Sequence, residues 1–223
     1  MATHLDLEEQ EQLDALKHFW NKWGNLITWG VIAVSASLIG VQAWNWYNRD
    51  QAVKGSVVFD ALQEAAQAGD LKKTREAAGE LTSHYGASQY ASMGALISAK
   101  LHAEGGDTKT ARAELEWVRA NAPDDMLRDL ARLRLAYVLL EEQSFDDAEK
   151  MLDGKTAPTL EARFLEARGD ILLMRDKRDD ARTAYQAALA KIDDMAKSDA
   201  TGGAATAYRN VIEIKLDAVG GKQ

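Results

Sequence analysis

Asn25-Leu-Ile-Thr-Trp-Gly-Val-Ile-Ala-Val-Ser-Ala-Ser-Leu-Ile-Gly-Val-Gln-Ala-Trp-Asn-Trp-Tyr47 is the stretch from which the rest of the chain must be divided. It lies within residues 23–48, which contain no Asp, Glu, Lys or Arg, in a chain that is 28% charged. As a helix, residues 25–47 extend about 34 Å, enough for a hydrocarbon core of about 30 Å. Leu26, Ile27, Val31, Ile32, Val34, Leu38, Ile39 and Val41 together favour insertion by roughly 4 kcal/mol, and Asn25, Gln42 and Asn45 return part of it. Trp20, Trp23 and Trp29 mark one end, and Trp44, Trp46 and Tyr47 the other, as amphipathic rings do at membrane interfaces. The stretch reads as one transmembrane helix. Two other readings fit less well. A buried core helix does not need so long an uncharged run. A cleaved signal peptide ending near Val41-Gln-Ala43 wants a positive leader, and here Asp6, Glu8, Glu9, Glu11 and Asp14 outweigh Lys17 and Lys22.

Outward from the span, Lys17 and Lys22 on one side balance Arg49 and Lys54 on the other, so charge does not set the orientation. Within it, Gly30, Ala33, Ser37 and Gly40 share one helix face. Small residues there let a second helix backbone come close. Before it, Leu13, Leu16, Trp20 and Trp23 repeat that spacing, so residues 1–24 read as a short segment with an amphipathic surface helix or an extension of the span.

The remainder is soluble in character. Of 223 residues 46% are hydrophobic, two are proline and none is cysteine. This excludes a disulfide framework and a cysteine nucleophile, and the abundant alanine favours helix over a sandwich or barrel. A net charge of −8 argues against binding nucleic acid.

Residues 50–223 carry a degenerate repeat. Ala111, Ala148 and Ala181 stand 37 and 33 residues apart. Each has an apolar residue four on (Leu115, Leu152, Tyr185) and a small residue twelve before (Ala99, Ala136, Gly169). This is the small-and-large alternation of the tetratricopeptide repeat, in which antiparallel helix pairs cross at small residues. Gly69-Asp70-Leu-Lys-Lys-Thr-Arg-Glu-Ala-Ala78 parallels Gly106-Asp107-Thr-Lys-Thr-Ala-Arg-Ala-Glu-Leu115 as a fainter copy, with Thr74 and Ala78 at the anchor positions. Four helix pairs follow, at 52–85, 88–121, 126–154 and 159–195. Turns fall at 68–70, 105–107, 143–146 and 175–178, where Asp caps the next helix. After a loop at 198–203, Tyr208, Val211, Ile212 and Leu216 form the stripe of a capping helix. The expected architecture is all-α: one N-terminal transmembrane helix, then a tetratricopeptide-like solenoid of about four pairs plus a cap. An irregular stack of helical hairpins is the alternative.

Catalytic patterns are missing. His4, His18, His84 and His102 lack metal-ligand spacing, and there is no phosphate loop or nucleophile elbow. Gly105-Gly106 and Gly202-Gly203 read as turns. The expectation is a non-enzyme without cofactor, metal or small-molecule substrate. The first helices of the second and third pairs would then present Met93, Leu96 and Lys100, and Leu130, Leu133, Tyr137 and Leu140, to a groove for apolar polypeptide. The opposing reading has the middle helix buried by its neighbours or covered by the C-terminal helix.

Glu11-Gln-Leu-Asp-Ala-Leu-Lys-His-Phe-Trp-Asn-Lys-Trp-Gly-Asn25 followed directly by the span resembles the opening of the YfgM-like family. Tyr85-Gly-Ala-Ser-Gln-Tyr-Ala-Ser-Met and the run from Arg168 to Ala188 are similar to it too. The resemblance implies an ancillary subunit of the bacterial Sec translocon, in the lipid bilayer of the inner membrane, with a cytoplasmic N-terminus and a periplasmic repeat domain. It implies contact with translocating or unfolded polypeptide and a periplasmic chaperone, and no catalytic residues. A repeat scaffold for another envelope assembly and an accessory to an enzyme are the other classes considered.

Overall fold

The structure is a computed structural model that describes residues 7–198 and 202–220. Every regular element among them is helical: α1 (Leu7–Gln67), α2 (Leu71–His84), α3 (Gln89–Glu104), α4 (Thr108–Asn121), α5 (Asp125–Glu141), α6 (Phe145–Met151), a 3-10 turn (Pro158–Leu160), α7 (Glu161–Met174), α8 (Arg178–Ser198) and α9 (Gly202–Ala218). The chain divides into two units, Met1–Asp50 and Gln51–Gln223.

In the first unit the span and the described residues before it, from Leu7 onward, belong to one continuous helix, α1, which matches the reading as an extension of the span; among the described residues no separate surface helix precedes it. It is the one helix among the described residues long and apolar enough to cross a membrane. Its large side chains face outward, with Leu26, Trp29, Leu38 and Ile39 all at least 65% exposed. That is the arrangement lipid rather than water stabilises.

The second unit begins with the C-terminal part of α1, whose Phe59 and Leu62 pack with Ala78 and Leu81 of α2. The pairs α3–α4, α5–α6 and α7–α8 follow, and α9 lies on α8. One turn recurs between the helices of each pair. Gly69 and Gly106 hold positive φ (70° and 81°), and Gln143 and Asp176 hold the same conformation (60° and 58°). The backbone amide after each returns to the helix just ended: Asp70 to Ala65, Asp107 to His102, Ser144 to Leu139 and Lys177 to Leu172, at 2.8–3.0 Å. This left-handed stop satisfies carbonyls that the helix end would leave bare. Asp70 and Asp107 then cap the next helix by accepting from the amides of Lys73 and Thr110. The last two turns differ from the capping expected of them. Ser144 caps α6 without a side-chain bond, Asp146 lies inside its first turn, and Asp176 occupies the left-handed position.

The repeat anchors are the core. Ala111, Ala148, Ala181, Ala99 and Ala136 are all at most 1% exposed, with Leu115, Leu152 and Tyr185 buried beside them. The faint first copy packs the same way. Thr74 and Ala78 are buried, and the Thr74 hydroxyl donates to the Asp70 carbonyl at 2.8 Å. At the α7–α8 crossing a methyl group on Gly169 would lie 2.4 Å from the Tyr185 ring, so only glycine permits this approach. The C-terminal stripe packs as expected at Tyr208, Ile212 and Leu216, but not at Val211. Ile212 is fully buried and Val211 is 47% exposed, while Gly202 starts α9 rather than lying in a turn. Residues 199–201 of the expected loop lie outside the described residues.

Candidate interaction face

Successive first helices touch one another, α3 against α5 and α5 against α7, which makes them the inner layer of the stack. The residues expected to line a groove fall on this layer but not all on its surface. Met93 is 38% exposed, and Leu130, Tyr137 and Leu140 are half-buried. Leu96 and Leu133 are buried at 4% exposure and pack in the core cluster shared by α3 to α7. The reason is visible on α5. Leu133, Leu135, Ala136, Val138 and Leu139 point around most of the helix, and neighbours on both sides enclose them. Arg134 ties the layer together, its Nη1 donating to the Leu96 carbonyl at 2.9 Å. Lys100 is exposed and faces Glu104 at 3.7 Å.

The α7 end of this face is closed by a polar hub. Asp170 accepts from the Tyr137 hydroxyl of α5 (3.2 Å), the Tyr185 hydroxyl of α8 (2.8 Å) and Lys215 Nζ of α9 (2.7 and 2.9 Å). One turn earlier, Glu166 accepts from Lys215 Nζ and the Tyr208 hydroxyl, both at 2.7 Å. The Arg163 guanidinium stacks over the Tyr208 ring at 5.0 Å. All four carboxylate oxygens are therefore occupied. Burial, reinforced by these carboxylates, pushes the phenols of Tyr137, Tyr185 and Tyr208 above their ordinary range. Burial would lower Lys215, but its bonds to Asp170 and Glu166 outweigh it and hold the ammonium charged. Such a hub fixes α9 to the stack and leaves no carboxylate free to move a proton. Glu166, Asp170 and Lys215 were not singled out from sequence, and Tyr208 was read only as part of the apolar stripe of α9. Their signal was a pair of carboxylates one turn apart on α7, which alone looks like a solvated face.

A hollow of about 520 Å³ opens between α2 and α4 beside Gly79, Lys109 and Trp117. At its edge the Ser98 hydroxyl donates to Glu114 at 2.7 Å. Burial pushes this carboxyl up to about 7, against the lowering effect of Ser98.

On the span, Gly30, Ala33, Ser37 and Gly40 are exposed, and a methyl group on Gly30 or Gly40 would meet nothing within 4 Å. The Ser37 hydroxyl donates to the Ala33 carbonyl at 2.8 Å, which removes its polarity from the surface.

Residues 17–221 match the tetratricopeptide repeat-like domain family. Over 98% of its length the chain is 26% identical to the ancillary SecYEG translocon subunit of Neisseria gonorrhoeae, all of which is covered. It is 28% identical to the Escherichia coli protein of that name, over 94% of this chain and 95% of that one. With the Aggregatibacter actinomycetemcomitans protein of the same name the identity is 30%, over 82% and 89%. No solved structure matches the chain. Repeated turns, buried small-residue crossings and a match across nearly the whole length lead to one assignment: the chain belongs to the tetratricopeptide repeat-like family of the ancillary SecYEG translocon subunits.

Proposed function

We propose that this chain is a single-pass inner-membrane protein and a non-catalytic scaffold of the Sec translocon. Residues 1–24 lie in the cytoplasm, 25–47 cross the membrane, and 50–223 form a periplasmic domain able to fold without the anchor. The observation that carries the proposal is the near full-length similarity to proteins named as ancillary SecYEG translocon subunits, with the apolar helix included in the match. In this reading the span docks on the channel through Gly30, Ala33, Ser37 and Gly40. The domain meets emerging polypeptide through the accessible part of the inner layer, the exposed Met93 and the half-buried Leu130, Tyr137 and Leu140, and hands it to a periplasmic chaperone. Apolar burial is non-directional and suits clients of varied sequence.

Burial of Leu96 and Leu133 narrows that apolar surface and favours a second reading, in which the domain binds folded envelope partners without touching clients. A photo-crosslinker at Met93, in membranes carrying a stalled secretory chain, separates the two. Crosslinks to the stalled chain support client contact, and crosslinks to folded partners alone support the second reading. Protease digestion of right-side-out and inverted vesicles tests the topology. Digestion of the domain only in the inverted vesicles contradicts it.

A further inference from the structure

A basic hollow of about 560 Å³ lies where the end of α4, the start of α5 and the connection after α6 meet. Four cations line it, Arg119, Arg128, Arg132 and Lys155, in a chain whose net charge is −8. Two are internally matched. Arg132 pairs with Asp129 at 2.7 Å, and Arg128 pairs with Asp125. Arg119 and the Lys155 ammonium have no hydrogen-bond or ion-pair partner among the described residues, and both are exposed. Two positive charges from separate elements thus face one hollow unneutralised.

The connection is held rigid. Arg132 donates to the carbonyls of Met151 (3.1 Å), Asp153 and Lys155 (3.1 Å), and its guanidinium stacks on the Phe164 ring at 5.2 Å. On the far side of Lys155, Asp129 accepts from the Thr156 hydroxyl (3.1 Å) and the Ala157 amide (2.8 Å). The backbone on both sides of Lys155 is therefore fixed while its ammonium is left unmatched. Ordering a loop in advance lowers the entropic cost of binding through it.

We propose that this hollow is a docking site for an acidic segment of a partner polypeptide, whose carboxylates bridge Arg119 and Lys155. The concavity suits separate carboxylates reaching in past the rim, and it opposes a flat anionic bilayer. The site is independent of the inner face and of Sec association.

The test uses the full chain in detergent, a fluorescent hexaglutamate peptide and anisotropy at low and high salt. The wild type binds, with affinity that falls as salt rises. Arg119→Gln with Lys155→Gln weakens binding about tenfold without changing the melting temperature. The charge-keeping pair Arg119→Lys with Lys155→Arg retains binding. Arg75→Gln with Lys109→Gln, two cations on α2 and α4 away from the hollow, leaves it unchanged. Absence of wild-type binding overturns the proposal, as does an equal loss in both Gln pairs, which would reflect bulk charge. Binding to phosphatidylglycerol vesicles in place of the peptide also overturns it.

Discussion

Small residues mean opposite things in the two units. In the span, a methyl group on Gly30 or Gly40 would meet nothing within 4 Å among the described residues. In the repeat domain, Gly94 and Gly169 sit where a methyl group would lie 2.6 Å from Leu81 and 2.4 Å from Tyr185. Both segments are helical, but the solvents differ. Water drives the domain to bury every small-residue crossing inside the chain. Lipid supplies no such drive between helices, so a small face in the span becomes useful only when a partner helix comes to it. The domain's crossings serve its own stability, and in the proposed function the span's small face remains for association.

That contrast breaks first at Gly169. Gly169→Val pushes into Tyr185, which is fully buried and hydrogen-bonded to Asp170, so the ring cannot retreat cheaply. The expected loss is about 3 kcal/mol by chemical denaturation of the domain. A loss below about 1 kcal/mol would show that the crossing is slack.

Next comes the hub. Lys215→Met keeps the apolar stem but leaves Glu166 and Asp170 without their cation. Because Lys215 is 31% exposed, the cost is discounted from that of a fully buried pair to about 2–3 kcal/mol. Faster amide exchange in α9 than in α3 would place the effect where the hub acts.

Glu114 gives a smaller, pH-dependent effect. The folded carboxyl keeps its proton up to about pH 7, whereas an unfolded one releases it near 4.5. The folded state therefore holds more protons between these values, and stability falls as pH rises through that window and is level above it. With its partial exposure discounted the fall is about 1–2 kcal/mol. Glu114→Gln should flatten the profile, and a wild-type profile already flat from pH 5 to 8 would contradict this.

The turns give the smallest domain effect. Gln143→Gly relieves a left-handed residue with φ of 60° and should stabilise by about 0.5–1 kcal/mol. A melting temperature that falls instead would mean that the Gln143 side chain contributes more than its backbone costs.

These elements also explain what the sequence revealed. The pair boundaries were legible because each turn repeats at fixed spacing from a buried alanine, and even Thr74 kept its place because its hydroxyl is satisfied within its own helix. The inner face was half legible. The periodicity of α5 puts Leu133 and Tyr137 on one stripe, yet it does not say that α3 and α7 enclose the first and leave the second half-open. The hub was not legible, because Asp170 and Lys215 are 45 residues apart and nothing local marks either as paired. In α9 the stripe was legible at Tyr208, Ile212 and Leu216 but not at Val211, since Val211 and Ile212 are both apolar and only packing chooses between them.

The most direct test lies in the span. Ala33→Leu with Ser37→Leu adds bulk to a face with no described neighbour, so the account predicts no change in membrane insertion or in melting of the repeat domain. What should fall is recovery of the Sec channel when the full chain is affinity-purified from mild detergent, by about tenfold for a loss of roughly 1.4 kcal/mol. Undiminished recovery of the channel would contradict the claim that the span's small face is its docking surface.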